Sequence, residues 1–204
     1  MRRRPAPFDT REPRDGALLA NAPGMDTVTR RWWMLDVRGM ASFGLAAFLL
    51  LGPSWDSSQV LAIAFGIYAV VDAAGTLAFV RGARGFETAA YIGRGVLGLA
   101  AGILVLAHPT AAIGALYLVV STWAIGAGAL EIVFGSRTWT TVPRPVAFMV
   151  EGMLSFGLGA TAIHFPLENT AMLRGFLAAY AVANGIAATL LGESLHALPA
   201  RRAT

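Results

Sequence analysis

Beyond residue 31 the chain alternates between long apolar stretches and short polar breaks. Six apolar runs stand out, at roughly 33–52, 58–80, 88–107, 111–135, 146–165 and 172–192. Each is about 20 residues long, the length that crosses a hydrocarbon core of ~30 Å. None keeps the continuous polar face of a soluble surface helix. The pattern predicts an all-α integral membrane protein with six transmembrane helices.

The runs fall into a threefold repeat. Arg38-Gly39, Arg94-Gly95 and Glu151-Gly152 each open an apolar stretch, which closes 14 residues after the glycine at Pro53, Pro109 and Pro166. An aromatic follows 14 or 15 residues later (Tyr68, Trp123, Tyr180), and four residues further come Asp72, Ala127 and Asn184. Fixed spacing of this kind marks one supersecondary unit copied three times. The unit reads as an apolar helix, a proline turn and a second apolar helix. Proline lacks an N–H and clashes with the preceding turn, so Pro53, Pro109 and Pro166 stop the first helix of each hairpin. Ser57 or Ser58, Thr110, and Asn169 or Thr170 are placed to cap the second. Turns this short make antiparallel neighbours, giving three repeated helical hairpins in one bundle, about 32–80, 88–135 and 146–192. Residues 1–31 read as a disordered, arginine-rich cytoplasmic tail, residues 32–192 as the membrane domain, and residues 193–204 as a cytoplasmic C-terminal tail. Trp32 and Trp33 stand where the membrane–water interface is expected.

Composition sharpens the membrane reading. Apolar residues make up 56% of the chain and charged residues 14%, against roughly 25% charged in a soluble domain. The first 31 residues carry seven arginines and no short apolar core of the kind a cleavable signal needs. The first run is therefore expected to remain as an anchor. Cysteine is absent, which excludes disulfides, thiol nucleophiles and thiolate metal sites. Lysine is absent too, so all 16 basic residues are arginine. Thirteen of these fall on one side of the predicted spans: seven in the N-terminal tail, then Arg81, Arg84, Arg137, Arg144, Arg201 and Arg202. Only Arg174 falls on the other. Arginine-rich short loops stay cytoplasmic, so both termini are expected inside and the partner of this surface is the lipid bilayer rather than nucleic acid. The Arg2-Arg3-Arg4 cluster reads either as setting the same topology alone or as also touching anionic lipid, at about 1 kcal/mol per residue near the surface.

Small residues are frequent inside the runs. Gly98 and Gly102 form a GxxxG, and Gly126, Gly128, Gly157, Gly159 and Gly185 add further small surfaces. In lipid such residues let helix backbones approach closely. Spacing leaves open whether these contacts lie within one chain, in a homo-oligomer or against another membrane protein. Gly93–Gly98 matches GxGxxG, but a dinucleotide site needs a strand before it and an acidic residue about 20 positions on. Neither is present, and no cofactor, metal site or catalytic constellation is read from the chain.

Ionisable groups inside a span are costly and mark candidate sites. Here they are Arg38, Asp72, Arg94, Glu131 and Glu151, with Asn184 as a polar companion. At ~1.5 Å per residue, Arg38, Arg94 and Glu151 lie roughly 7–9 Å from the cytoplasmic ends of their helices, Glu131 about 6 Å, and Asp72 and Asn184 about 12 Å. All six are expected in one charge layer in the cytoplasmic half of the bundle. Within hairpins Arg38 should meet Asp72 and Arg94 should meet Glu131. Glu151 has no arginine in its own hairpin. It should face Arg94 or Arg38 across the bundle, or carry a proton, because burial disfavours a charged carboxylate. The layer reads either as a structural lock on helix register or as a proton-responsive site with Glu151 as the titrating group. His108 and His164 sit just before the outer prolines and are the other candidate pH-responsive residues.

The repeated "RG…P" hairpins, the aromatic with Asp or Asn one turn on, and six spans with arginine inside resemble the HdeD-like family of bacterial inner-membrane proteins. That family is built from a short repeat of unknown function, and its named member is implicated in acid resistance. The resemblance spans residues 32–192. It departs at Glu151, where the other repeats have arginine, at Ala127, where the others have Asp72 and Asn184, and in the long N-terminal tail. It implies a non-enzymatic, multi-pass protein of the bacterial inner membrane with a role in acid or stress tolerance, and it supplies no catalytic residues and no ligand. The alternatives are a small transporter or channel for protons or a small solute, and an assembly partner of another membrane protein.

Overall fold

The computed structural model describes residues 32–52, 57–83, 85–111, 113–137, 139, 145–164 and 169–196. The N-terminal tail, Pro53, Pro166, Arg84, Arg144, Arg201 and Arg202 lie outside the described residues. The elements are α1 (Trp32–Leu51), α2 (Ser58–Ala78) with a 3-10 turn at Phe79–Gly82, α3 (Phe86–Ala107), α4 (Ile113–Arg137), α5 (Pro145–His164) and α6 (Thr170–His196). All six α-helices are long and apolar enough to cross a membrane. Each also turns a large apolar side chain outward, among them Met40, Ile67, Val96, Leu118, Met153 and Ile186. An apolar exterior of this kind suits a lipid solvent, in which backbone polar groups are satisfied within each helix.

The helices alternate in direction, so one end of the bundle carries the short turns α1–α2, α3–α4 and α5–α6. The other end, here the tail end, carries the starts of α1, α3 and α5. Helix boundaries depart from the apolar runs in two places. α2 tightens into the 3-10 turn at Phe79–Gly82, and α6 continues to His196, past the apolar run that ends near 192. Of the expected caps, Asn169 accepts the Met172 N–H at 2.9 Å. Ser57 occupies the N-cap of α2, but its side chain makes no capping bond, and its carbonyl accepts Val60 N–H and Leu61 N–H instead. Thr110 lies too far before Ile113 to be the cap of α4.

Packing does not follow the hairpins. The most extensive contacts are α4 with α5, α1 with α6 and α2 with α3, whereas the two helices of each hairpin touch less. Each repeat thus packs its second helix against the first helix of the next repeat, and α6 closes the ring on α1. The glycines explain the choice. A Cβ at Gly128 would stand 2.5 Å from Gly152 O and 2.5 Å from Phe156 N. At Gly102 it would stand 2.9 Å from Gly66 O, and at Gly39 3.2 Å from Gly185 O. Backbones approach where neither helix has a side chain to keep them apart. Gly98, Gly102, Gly126, Gly128, Gly159 and Gly185 all meet neighbours within this chain, whereas Gly157 faces open space. The GxGxxG at Gly93–Gly98 lies inside α3, as helix–helix packing surface.

The ring closes around an aromatic centre. Tyr68, Trp123 and Tyr180, the equivalent aromatics of the three repeats, converge there. Trp123 meets Tyr180 edge-on at 5.1 Å, Tyr68 at 6.4 Å and Phe65 at 5.2 Å. Edge-to-face packing at these distances adds stability beyond the area buried.

Candidate functional site: a buried charge layer

One turn of helix from that aromatic centre, towards the tail end, the structure brings Arg38, Asp72, Arg94, Glu131, Glu151 and Asn184 together. All six are buried, with Arg38 the most exposed at 9%. Every helix contributes one of them: Arg38 from α1, Asp72 from α2, Arg94 from α3, Glu131 from α4, Glu151 from α5 and Asn184 from α6.

Arg38 is the hub. Its Nε donates to Asp72 Oδ1 at 2.5 Å. Its Nη2 donates to Glu151 Oε1 at 2.7 Å and to Asn184 Oδ1 at 2.8 Å, and lies 3.6 Å from Glu131 Oε1. A guanidinium presents several donors in a rigid fork, which suits it to several planar acceptors at once. Arg94 is held less tightly. Its Nη1 lies 2.8 Å from Glu131 Oε1, its Nη2 donates to Asp72 Oδ2 at 3.5 Å, and its Nε has no hydrogen-bond partner among the described residues. Both within-hairpin pairs, Arg38–Asp72 and Arg94–Glu131, are therefore present. Glu151 takes Arg38 as its partner across the bundle and lies 4.0 Å from Arg94.

The carboxylates are not equivalent. Glu131 sits in ion-pair contact with Arg94, yet neither of its oxygens receives an aligned hydrogen bond among the described residues. Asp72 and Glu151 each do. The layer counts two guanidinium groups against three carboxylates.

Sequence reasoning missed a hydroxyl extension of the layer. Asn184 Nδ2 donates to Ser42 Oγ at 3.1 Å and to the Tyr68 hydroxyl. Ser42 Oγ lies 3.1 Å from Tyr68 OH and donates to the Arg38 carbonyl at 3.0 Å. The missed signal lies in repeat phase: Ser42 follows Arg38 by one turn as Ser155 follows Glu151, and Ser155 is also buried, donating to Ala124 O at 2.9 Å. Tyr180 OH, Trp123 Nε1 and Ser121 Oγ are buried without partners among the described residues. Arg174, read as the one arginine of the turn end, has a structural task there. It donates to Leu49 O and, at 3.0 Å, to Gly52 O, tying α6 to the last carbonyls of α1. Such carbonyls lack intrahelical partners and favour a cation.

His108 and His164 do not join the layer. His108 is the C-cap of α3 and His164 the last residue of α5. Both are exposed at the turn end. Pro109, the described hairpin proline, follows His108 directly outside α3. Among the described residues no group of His, Asp and Glu could hold a metal ion.

Fold and site together define a multi-pass, all-helical membrane protein with a polar layer buried in an apolar bundle. The family described as a short repeat of unknown function (DUF308) matches residues 93–150. The matched stretch begins one residue before Arg94 and ends one before Glu151, so it covers one full period of the repeat. No curated protein and no solved structure matches the chain.

Proposed function

We propose that the chain is a non-enzymatic, multi-pass protein of the bacterial inner membrane that acts in acid tolerance, and that its charge layer responds to protons. The observation that carries this reading is the unequal count in the layer, two guanidinium groups and three carboxylates buried together. Burying an unpaired charge is costly. A single added proton makes the layer neutral, and Glu131 is its seat, because among the described residues its oxygens are the carboxylate oxygens of the layer that receive no aligned hydrogen bond. Glu151, by contrast, accepts a hydrogen bond from Arg38. Acid tolerance as the physiological setting comes from the likeness to the HdeD-like family, and the short-repeat match supports that likeness. Arg81 and Arg137 at the tail end support placing both termini in the cytoplasm.

Deletion of the gene should lower survival after acid shock, and the wild-type gene should restore it. Glu131→Gln should not restore it although the protein accumulates normally, whereas His108→Gln with His164→Gln should. Full rescue by Glu131→Gln, or no phenotype on deletion, contradicts the reading.

A second reading, assembly with another copy or another membrane protein, draws on one observation. An apolar groove of about 890 Å³ runs between α5 and α6, lined by residues such as Val150, Leu154, Ala179 and Ile186. Recovery of the chain alone, as a monomer, in mild detergent would count against it. The transporter or channel reading requires a polar route to both ends of the bundle.

A further inference from the structure

The charge layer is closed along the bundle axis on both sides. Towards the turn end lie Leu49, Phe65, Val120, Leu173 and Leu177, each no more than 2% exposed. Towards the tail end Phe79, Tyr91, Phe134 and Phe148 form a file, with successive ring centroids 5.7, 5.3 and 5.0 Å apart. Leu35 and Leu191 pack with this file. Among the described residues, the polar side chains on the tail side of the layer include Tyr91 in the file, Thr76, whose hydroxyl donates to Asp72 O at 2.9 Å, and Asp36.

The opening is on the flank. A crevice of about 270 Å³ lies between α1 and α2, with Arg38, Asp72 and Tyr68 among its lining residues and Trp33 and Gly75 nearer the tail end. It exists because these two helices pack less closely than either does with its other neighbour, and because Ala41, Ala74, Gly75 and Ala78 are too small to fill the gap. A Cβ at Gly75 would meet nothing within 4 Å. Liquid water occupies about 30 Å³ per molecule, so the crevice has room for several. Gly75 stands one turn before the end of α2, and the mouth therefore lies near the tail-side membrane interface.

We infer that the crevice is a lateral, one-sided entrance through which water and hydronium reach Arg38 and Asp72 between α1 and α2. Arg38 (α1) and Tyr68 and Asp72 (α2) line this entry, and Arg94 (α3), Glu131 (α4), Glu151 (α5) and Asn184 (α6) meet Arg38 or Asp72 from within the bundle. Arg38 at the crevice lies 3.6 Å from Glu131 Oε1, and Arg94 bridges Asp72 and Glu131, so the crevice ends against the ion-pair cluster that holds Glu131. The layer then samples the tail side of the membrane alone. The inference rests on the proton-responsive reading of the layer and adds its side of access.

The chain has no cysteine, so single cysteines can be introduced without background. Gly75→Cys and Ala41→Cys occupy opposite walls of the crevice. Val133→Cys, lipid-facing on α4 about one turn from the tail end, is the control. In oriented vesicles, a membrane-impermeant maleimide on the tail side should label both crevice cysteines at least tenfold faster than Val133→Cys. From the turn side it should label neither. Rates equal to the control, or labelling from the turn side, would overturn the inference. If Gly75→Cys fails to accumulate, Ala41→Cys gives the same reading alone. Labelling is scored without reference to survival. Slow labelling with an intact acid phenotype removes the entrance and leaves the proton reading, and fast labelling with no phenotype does the reverse.

Discussion

Arg38 and Glu131 are the two residues on which the polar layer turns, in opposite senses. Arg38 holds Asp72, Glu151 and Asn184 at once. Removing it strands carboxylates in an apolar interior, and breaking a buried pair this way costs about 3–5 kcal/mol. Arg38→Ala should therefore abolish folded protein in the membrane, read as accumulation and as thermal stability in detergent. Glu131→Gln removes the excess carboxylate and keeps the shape, so its stability should stay within about 1 kcal/mol of wild type or rise. A Glu131→Gln variant as unstable as Arg38→Ala would make Glu131 a purely structural partner of Arg94. At this scale much was legible in the sequence. Helical rise alone puts Arg38, Asp72, Arg94, Glu131, Glu151 and Asn184 at one depth, and hairpin pairing gives Arg38–Asp72 and Arg94–Glu131. Which arginine would take Glu151 was not legible, because that depends on how the ring closes. The hydroxyls of Ser42 and Tyr68 were not legible, because a lone Ser or Tyr inside an apolar run reads equally well as packing.

Helix by helix, the repeat is read from spacing but the pairing is not. A short turn shows that α1 and α2 are antiparallel and says nothing of how closely they pack. Closeness is decided by where glycines fall opposite one another, and these lie between repeats. Gly128 meets the backbone of α5 on both sides of its missing Cβ, whereas Gly157 on α5 meets nothing. Gly128→Ala must therefore push two backbones apart, at a cost of about 1–3 kcal/mol. Gly157→Ala should be neutral or slightly stabilising, since alanine suits a helix interior better. Thermal unfolding of the two variants in the same detergent makes the comparison, and equal losses would contradict the packing described here. Because the tight pairs lie between repeats, α1 and α2 are left loosely joined along their length, and the crevice opens in that gap.

Across the whole molecule, the three repeats do not bring the same residues to equivalent positions. Arg38, Arg94 and Glu151 occupy the first helices, and Asp72, Ala127 and Asn184 the second. The departures from strict repetition are what unbalance the layer. Glu151 replaces a cation with an anion, Asn184 replaces an anion with a neutral amide, and Glu131 enters one turn beyond Ala127. A ring of identical repeats would hold matched pairs and no vacancy for a proton. The central claim is that this bundle carries one exchangeable proton on a buried carboxyl group. The most direct test is the infrared carbonyl stretch of protonated carboxyl groups, recorded for the protein in lipid over a range of pH. The account requires one such band that changes with pH and disappears in Glu131→Gln. Absence of the band at every pH, or its persistence unchanged in Glu131→Gln, would contradict it.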